Sequence, residues 1–327
     1  MNVREILLQI FSKMVEEILF GSKREVKIDG LSLPEACDLL FKYGFSEVLV
    51  HPVNMITGGL ASKHNLLECC KKAKKIDEEI KKVLSAEIDY RSSMSDSELG
   101  INILDLLIKH NRSASGDEIL SKDEIIQNCI VFYVAGVDTS KNTSEFSLQF
   151  FSRNQVEQGE FFDRIASKMQ EKDLSVYESF ESNIELQNYT KEILRLFSAS
   201  SQLFPRLALR DFKIGKYKIV KGTYLNVLFN TFHHSNDYYS DYWKFDSQRF
   251  AKIAERQHKQ KPAELMPFSL GKRNCIGRYL AELFVQSILI HFSKTFDMKA
   301  LDKYEVNAVQ GITYGLDSCF IRMRPKL

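Results

Sequence analysis

One segment constrains this chain more than any other, a cysteine-containing loop that runs directly into an amphipathic helix. The segment PFSLGKRNCIGRYLAELF has the pattern Phe-x-x-Gly-x-Arg-x-Cys-x-Gly, formed by Phe268, Gly271, Arg273, Cys275 and Gly277. A cysteine just before a helix N-terminus lies at the positive end of the helix dipole, where the thiolate is favoured and can bind a metal. The glycines let the backbone bend and approach a flat ligand closely. The segment therefore predicts a metal-ligating thiolate at Cys275.

The alternative for Cys275 is a small buried hydrophobic residue, which is the usual position of a free cysteine. Five matched positions in order, with a helix directly behind them, favour the ligand. The six cysteines show no Cys-x-x-Cys pair and no regular spacing, so they predict neither a disulfide framework nor a zinc site. A reducing compartment is expected. The other five are Cys37, Cys69, Cys70, Cys129 and Cys319.

Size and charge limit the possible partners. A chain of 327 residues, 44% of them hydrophobic, can bury a large core. Lys and Arg number 45 against 43 Asp and Glu, and the net charge of +2 is too small to predict nucleic-acid binding. The N-terminal sequence MNVREILLQIFSKMVEEILFG has the pattern of an amphipathic helix, not of a signal peptide or a membrane span.

Helical periodicity dominates the first part of the chain. Apolar residues recur at helical spacing from residue 1 to about residue 197, so the first half is predicted to be mostly helical. Ser121 and Glu124 fit a capping box, in which each side chain binds an otherwise unpaired backbone amide at the start of a long helix.

The pattern changes after residue 205, where RDFKIGKYKIVKGTYLNVLF shows near-alternating apolar residues with glycine turns. This predicts a small β meander. Helical spacing returns from Ile276, and residues 308–324 predict a loop with a terminal pair of strands. The expected fold class is mainly α with a small β meander, in a single domain over residues 1–327.

The segment around Cys275 resembles the haem-ligand loop of the cytochrome P450 family. The resemblance implies a cytochrome P450-like fold that binds haem b (iron protoporphyrin IX), with Cys275 as the thiolate ligand of the iron. Phe268 would then cover the sulfur, and Arg273 would pair with a haem propionate. Gly271 and Gly277 would allow close approach of the macrocycle.

Family members also carry Glu-x-x-Arg on an upstream helix, joined by a later arginine in a buried ion network that holds the haem-ligand region. Glu192 and Arg195 in YTKEILRLF match the pair, and their spacing puts both on one helix face. Arg249 in FDSQRF matches the third member. The alternative is a surface pair that contributes about 0.2–0.5 kcal/mol. The order and separation of the three residues favour the network.

The long helix contains FYVAGVDTS, which matches the family's oxygen-activation segment at Ala135, Gly136, Asp138 and Thr139. Glycine inside a helix costs about 1 kcal/mol relative to alanine, so an offsetting benefit is expected. In the family this benefit is room for dioxygen beside a helix distortion, where Asp138 and Thr139 serve proton delivery. The alternative is a glycine that permits close helix packing and a threonine bonded to its own helix.

Arg206, in FPRLA, resembles the arginine of the family's Pro-Arg-x-Ala sequence, which reaches a propionate. Its alternative is an ordinary exposed arginine. Phe204, Ile312 and Tyr314 match substrate-lining stretches of the family, although aromatic residues at these positions would serve equally in the core.

The resemblance covers nearly the whole chain, but the chain begins well inside the family's sequence. We therefore expect an N-terminally truncated member that lacks the family's N-terminal helices and the first strands of its sheet. The expected location is the endoplasmic reticulum membrane if the full-length protein has an anchor, and the cytoplasm otherwise.

The implied function is that of a haem-thiolate monooxygenase, which inserts one oxygen atom from O2 into an apolar organic substrate. Electrons would come from an NADPH-dependent reductase or a cytochrome b5-type donor. A candidate docking face for this electron donor is formed by Lys272, Arg273 and Arg278. The alternative is that these side chains are ordinary solvated surface residues. No nucleic-acid partner is expected.

Two other functions stay open. The first is a reductase-independent haem-thiolate isomerase or dehydratase that uses peroxide substrates, and the Asp138–Thr139 pair argues against it. The second is a truncated, catalytically inactive haem-binding relic, which the expected loss of the N-terminal part favours.

Overall fold

The structure is a computed structural model that describes residues 2–21, 27–28, 31–46, 53, 60–64, 66–170, 177–202, 205–256, 265–301, 307–310 and 313–326. Its helices confirm the mostly helical first half and the mainly α class. None of the helices in these ranges is long and apolar enough to cross a membrane. In chain order they are α1 (Val3–Phe20), α2 (Leu33–Phe41), α3 (Leu60–Lys63), α4 (Glu68–Ser92), α5 (Ile103–Ser113), α6 (Lys122–Arg153), α7 (Gln155–Arg164), α8 (Tyr177–Ser182), α9 (Ile184–Leu196), α10 (Phe229–His233), α11 (Arg249–Arg256) and α12 (Arg278–Thr295).

The described strands form two-stranded antiparallel pairs: β1 (Lys27–Ile28) with β2 (Leu31–Ser32), β3 (Arg206–Leu207) with β6 (Tyr224–Leu225), β4 (Phe212–Ile214) with β5 (Tyr217–Ile219), β7 (Phe296–Ala300) with β10 (Ile321–Pro325), and β8 (Ala308–Gln310) with β9 (Tyr314–Leu316). The predicted meander is the β4–β5 hairpin flanked by the β3–β6 pair. Gly215 adopts a φ of 55° in the hairpin turn, a conformation that favours glycine. The tail contains the predicted pair of strands, β8–β9, while its last strand pairs with β7.

The chain divides into two compact units, Glu5–Asp138 and Thr139–Leu327, the second of which includes Met1–Arg4. We refer to them as the first and the second unit. A single domain over residues 1–327 stays a prediction.

In the first unit, α1 buries one face. Leu7, Phe11, Val15 and Leu19 recur every four residues and are at most 3% exposed. Residues four apart lie one above the other on a helix, so this repeat forms a continuous apolar stripe. The amphipathic helix predicted for the N-terminal sequence is confirmed.

Arg91 fixes the end of α1 in the first unit. Its Nη2 donates to the carbonyl oxygen of Phe20 at 2.7 Å, and its guanidinium pairs with Glu87 at 2.7 Å and Asp105 at 2.8 Å. Burial opposes ionisation of Asp105, but hydrogen bonds, first among them that from Arg91, outweigh it and lower the pKa of Asp105. Because all three charged side chains are buried, these bonds offset the cost of desolvation.

Aromatic rings position α9 in the second unit. The ring centroids of Phe151 and Phe161 are 5.2 Å apart, and the Tyr189 ring lies 4.8 Å from both Phe161 and Phe245. These tilted contacts join α6 and α7 to α9 and to the segment before α11. They fix the helix that carries Glu192.

The capping box at the start of α6 is confirmed. The backbone amide of Ser121 donates to the Glu124 carboxylate at 2.7 Å, and the backbone amide of Glu124 donates to the Ser121 hydroxyl at 3.2 Å. From this cap α6 runs as one uninterrupted α-helix to Arg153.

Candidate functional site

Cys275 lies in a tight loop before α12, residues 266–277, which we call the ligand loop. Its backbone amide donates to the carbonyl oxygen of Phe268 at 2.9 Å, and the amide of Asn274 donates to the carbonyl oxygen of Gly271 at 3.1 Å. The helix begins at Arg278, three residues beyond the cysteine. All six cysteines lie within the described residues, and Cys275 alone is exposed. The loop therefore presents one accessible thiol at the positive end of the α12 dipole.

The surroundings of Cys275 fit a flat, largely apolar ligand. Leu270 and Ile276 are 51% and 81% exposed. Gly271 has a φ of 80°, and a side chain there would meet open space. At Gly277 a Cβ would face only the Cys275 sulfur, at 3.9 Å. Exposed apolar side chains and open glycines beside a thiol match the needs of a haem macrocycle, so the residues present fit the group.

The two arginines that are predicted to contact haem lie at the surface. Arg273 is exposed in the loop, and Arg206 is exposed on β3, where it pairs with Leu225 of β6. Phe268 is half-buried, and its ring centre lies 5.8 Å from the Arg278 guanidinium. Both arginines are thus accessible to an anionic ligand.

Glu192 is the acceptor at the centre of a buried network in the second unit. Its Oε2 accepts from Arg195 Nε at 2.9 Å. Its Oε1 accepts from Arg195 Nη2 at 2.8 Å, from Arg249 Nε at 3.0 Å and from the Asp246 backbone amide at 3.0 Å. Glu192 and Arg195 are fully buried, and Arg249 is 8% exposed. The structure therefore brings the three predicted residues together away from water.

The two arginines also bind backbone carbonyls. Arg249 donates to the carbonyl oxygens of Ser240 at 2.6 Å and of Lys244 at 3.0 Å. Arg195 donates to the carbonyl oxygen of His233 at 2.9 Å. The network thus holds the irregular chain between α10 and α11.

His233 is a residue that the sequence reasoning missed. It ends α10, it is fully buried, and its Nε2 accepts a hydrogen bond from the backbone amide of Met266 at 3.0 Å. The pair His233–His234 in FHHSND belongs to no pattern in the sequence, so its only signal was a histidine near the Glu-x-x-Arg helix.

The proposed oxygen-activation residues lie on α6. Asp138 and Thr139 are half-buried, and Ala135 is exposed. The helix distortion implied by the family is not present, because α6 is continuous through this stretch. A Cβ at Gly136 would lie 3.2 Å from the Val15 side chain of α1, so helix packing in the first unit provides a reason for this glycine.

Of the substrate-lining candidates, Phe204 and Ile312 lie outside the described residues. Tyr314 stacks on Phe146 with ring centroids 5.1 Å apart, and its backbone amide donates to the carbonyl oxygen of Ala199 at 2.6 Å. These contacts give Tyr314 a packing role in the second unit.

Comparison with known proteins decides the family. A family model described as Cytochrome P450 matches residues 1–311. The chain belongs to the cytochrome P450 family. This membership agrees with the resemblance of the Cys275 segment.

Several cytochrome P450 relatives are similar in sequence. Cytochrome P450 709B1 of Arabidopsis thaliana is 29% identical over 250 residues, which cover 74% of this chain and 47% of that protein. Cytokinin hydroxylase of Arabidopsis thaliana is 27% identical, covering 75% and 46%, and cytochrome P450 3A11 of Mus musculus is 24% identical, covering 89% and 58%. The chain spans about half the length of the curated relatives it matches.

Solved cytochrome P450 structures share the fold. The heme domain of cytochrome P450DA gives a TM-score of 0.78 at 19% identity, covering 100% of this chain and 68% of that one. The cytochrome P450 CYP102L1 gives 0.76 at 19% identity, covering 100% and 72%. The predicted cytochrome P450-like, mainly α fold is confirmed.

Proposed function

We propose that the chain forms the haem-binding part of a haem-thiolate monooxygenase that inserts one oxygen atom from O2 into an apolar organic substrate. The observation that supports this most is the Cys275 loop. It presents the exposed thiol before a helix N-terminus, between open apolar side chains and glycines. The other five cysteines are buried.

Each proposed site residue has a role that follows from its chemistry. Bound haem supplies oxygen activation, for which the thiolate donates electron density to the iron. Arg273 and Arg206 are exposed cations suited to the two propionates. Asp138 and Thr139 hold and deliver protons. The haem that the family resemblance implies is haem b.

Electrons come from a partner in this proposal, either an NADPH-dependent reductase or a cytochrome b5-type donor. Lys272 and Arg273 are exposed in the ligand loop and offer positive charge to an acidic surface. Arg278 is half-exposed and pairs with Glu282 at 3.0 Å, so its charge is partly neutralised. The docking face is therefore centred on Lys272 and Arg273.

Substitution of the ligand tests the proposal. The chain is loaded with haem, reduced and exposed to carbon monoxide, and its Soret band is compared with that of Cys275→Ser and of Cys319→Ser. We expect the band characteristic of a thiolate ligand in the wild type and in Cys319→Ser, because Cys319 is fully buried. Cys275→Ser should lose it. A thiolate band that survives in Cys275→Ser would refute the assignment.

The reaction type needs a second measurement. With a reductase present, NADPH consumption that rises with an apolar substrate supports monooxygenation, and Thr139→Ala should uncouple consumption from product formation. Conversion of an organic peroxide into its own isomer or dehydration product, without any reductase, would instead support the isomerase or dehydratase.

A further inference from the structure

His233 connects two parts of the second unit through different atoms. Its backbone carbonyl oxygen accepts from Arg195 Nη1 at 2.9 Å, which ties α10 to the Glu192 network. Its imidazole Nε2 accepts from the amide of Met266 at 3.0 Å, which ties α10 to the start of the ligand loop. One fully buried residue therefore contacts both the network and the loop.

The packing around the imidazole keeps it in one orientation. The ring centroid lies 5.4 Å from that of Phe229 on the same helix and 6.3 Å edge-on from that of Tyr239. The Arg195 guanidinium lies over the Tyr239 ring, 5.3 Å from its centroid. Enclosure among aromatic rings with a cation nearby disfavours a charged imidazole, so Nε2 keeps the lone pair that the Met266 amide needs.

Met266 is the point where the loop is held. Its amide is bound by His233, and its carbonyl oxygen accepts from the Ser269 amide at 3.1 Å, which closes the first turn of the loop. Two residues later, the carbonyl oxygen of Phe268 accepts from the amide of Cys275 at 2.9 Å. A displacement of Met266 therefore reaches the ligand cysteine through one short turn and one hydrogen bond.

We propose that His233 is a positioning residue, whose imidazole holds the Met266 end of the ligand loop so that the Cys275 thiolate keeps the geometry that ligates the iron. The inference rests on the proposed function, because it concerns the same thiolate. It adds a specific side chain through which the Glu192 network acts on the loop.

Three variants isolate the acceptor. In His233→Gln the terminal oxygen reaches about as far as Nε2 and can accept the same hydrogen bond. In His233→Leu an apolar side chain of similar volume replaces the imidazole, and the acceptor is lost. Phe292→Leu is the control, because it loosens the buried packing of Phe292 on Phe296 in the same unit and leaves the imidazole and its aromatic neighbours in place. If His233→Leu yields no soluble protein, His233→Asn replaces it, since this shorter amide does not reach Met266.

The first measurement is the Soret band of the reduced, carbon monoxide-bound protein. We expect the ratio of thiolate-ligated to thiol-ligated protein to fall about fivefold in His233→Leu, the factor that the net free energy of one hydrogen bond provides. His233→Gln and Phe292→Leu should keep the wild-type ratio. A wild-type ratio in His233→Leu, or an equal loss in His233→Gln, would overturn the inference.

The second measurement, hydrogen exchange of the Met266 amide in haem-free protein, needs no cofactor. Pro267 has no amide hydrogen, so peptide fragments separate the exchange of Met266 from that of Phe268. Protection should fall about tenfold in His233→Leu and persist in His233→Gln and in Phe292→Leu. If the wild-type protein protects the Met266 amide from exchange but shows no thiolate Soret band, the proposed function is refuted. If the Met266 amide of the wild-type protein is unprotected, the role of His233 is refuted.

Discussion

Removal of the negative charge from Glu192 should be among the most damaging isosteric changes in the second unit. The carboxylate accepts four hydrogen bonds, three at Oε1 and one at Oε2, and two of its donors are guanidinium groups. In Glu192→Gln one oxygen becomes an amide NH2 that points at a donor in either orientation, and two buried cations lose their only carboxylate in the network. Breaking a buried ion pair in this way costs about 3–5 kcal/mol. For a chain of this size we expect the unfolding temperature to fall by roughly 10 °C.

The matched control is on the same helix. Glu185, in the first turn of α9, pairs with Arg164 at 3.2 Å, but its side chain is 47% exposed. Glu185→Gln should therefore cost less than about 1 kcal/mol. Thermal unfolding of haem-free protein, followed by circular dichroism, compares the two variants, and haem titration shows whether Glu192→Ala still gives holoprotein, which we expect it not to do. Equal shifts in unfolding temperature, or normal haem uptake by Glu192→Ala, would refute the reasoning.

Three other predictions follow from buried groups. Burial lowers the pKa of His233 in the folded chain from 6.5 to about 4. Between these two pH values the unfolded chain binds more protons than the folded chain. The free energy of unfolding should therefore fall by up to about 3 kcal/mol as pH decreases from 6.5 to about 4. Urea unfolding should show this slope in the wild type and not in His233→Gln. Gly136→Val should destabilise the first unit by about 1–3 kcal/mol, because a Cβ at this position would lie 3.2 Å from the Val15 side chain. Adding Val15→Ala to Gly136→Val should restore part of the lost stability. If the effects of the two substitutions on thermal unfolding are strictly additive, this contact is contradicted. The lowered pKa of Asp105 gives stability that is present above the ordinary carboxyl pKa and is lost as pH falls through the lowered pKa. Asp105→Asn should therefore make the free energy of unfolding depend less steeply on pH in acid. An unchanged dependence would contradict the hydrogen bond from Arg91.

The sequence predicted the parts of the site that rest on local spacing. Glu192 and Arg195 are three residues apart on one helix, so their shared face follows from helical geometry alone. The loop motif around Cys275 is likewise contiguous. Arg249 lies 57 residues from Glu192, and its place in the network came from the family resemblance, since no rule of spacing joins two residues across an irregular segment.

The contacts that the sequence did not predict involve backbone atoms or distant packing. His233 binds the backbone amide of Met266, 33 residues away. Because any residue except proline supplies such a donor, the identity of residue 266 does not predict this hydrogen bond. Gly136 presented the opposite difficulty. Its sequence context is the same whether the absent side chain makes room for a ligand or for Val15, and only the position of α1 distinguishes the two.

The buried charges of the Glu192 network have a reason in the backbone that surrounds them. Between α10 and α11 the chain forms no regular helix or strand, and Asp241 adopts a φ of 51°. The carbonyl groups of Ser240 and Lys244 in this segment therefore lack the partners that a helix or strand would provide. The two guanidinium groups supply those donors, and the Glu192 carboxylate neutralises one of their charges and binds the Asp246 amide. An apolar replacement of the ion network would leave these carbonyl groups without the hydrogen bonds from the guanidinium groups. The network is therefore better understood as the hydrogen-bonding partner of an irregular segment than as a source of ion-pair stability. In our proposal its effect on the thiolate depends on His233, the last residue of α10, which binds the loop.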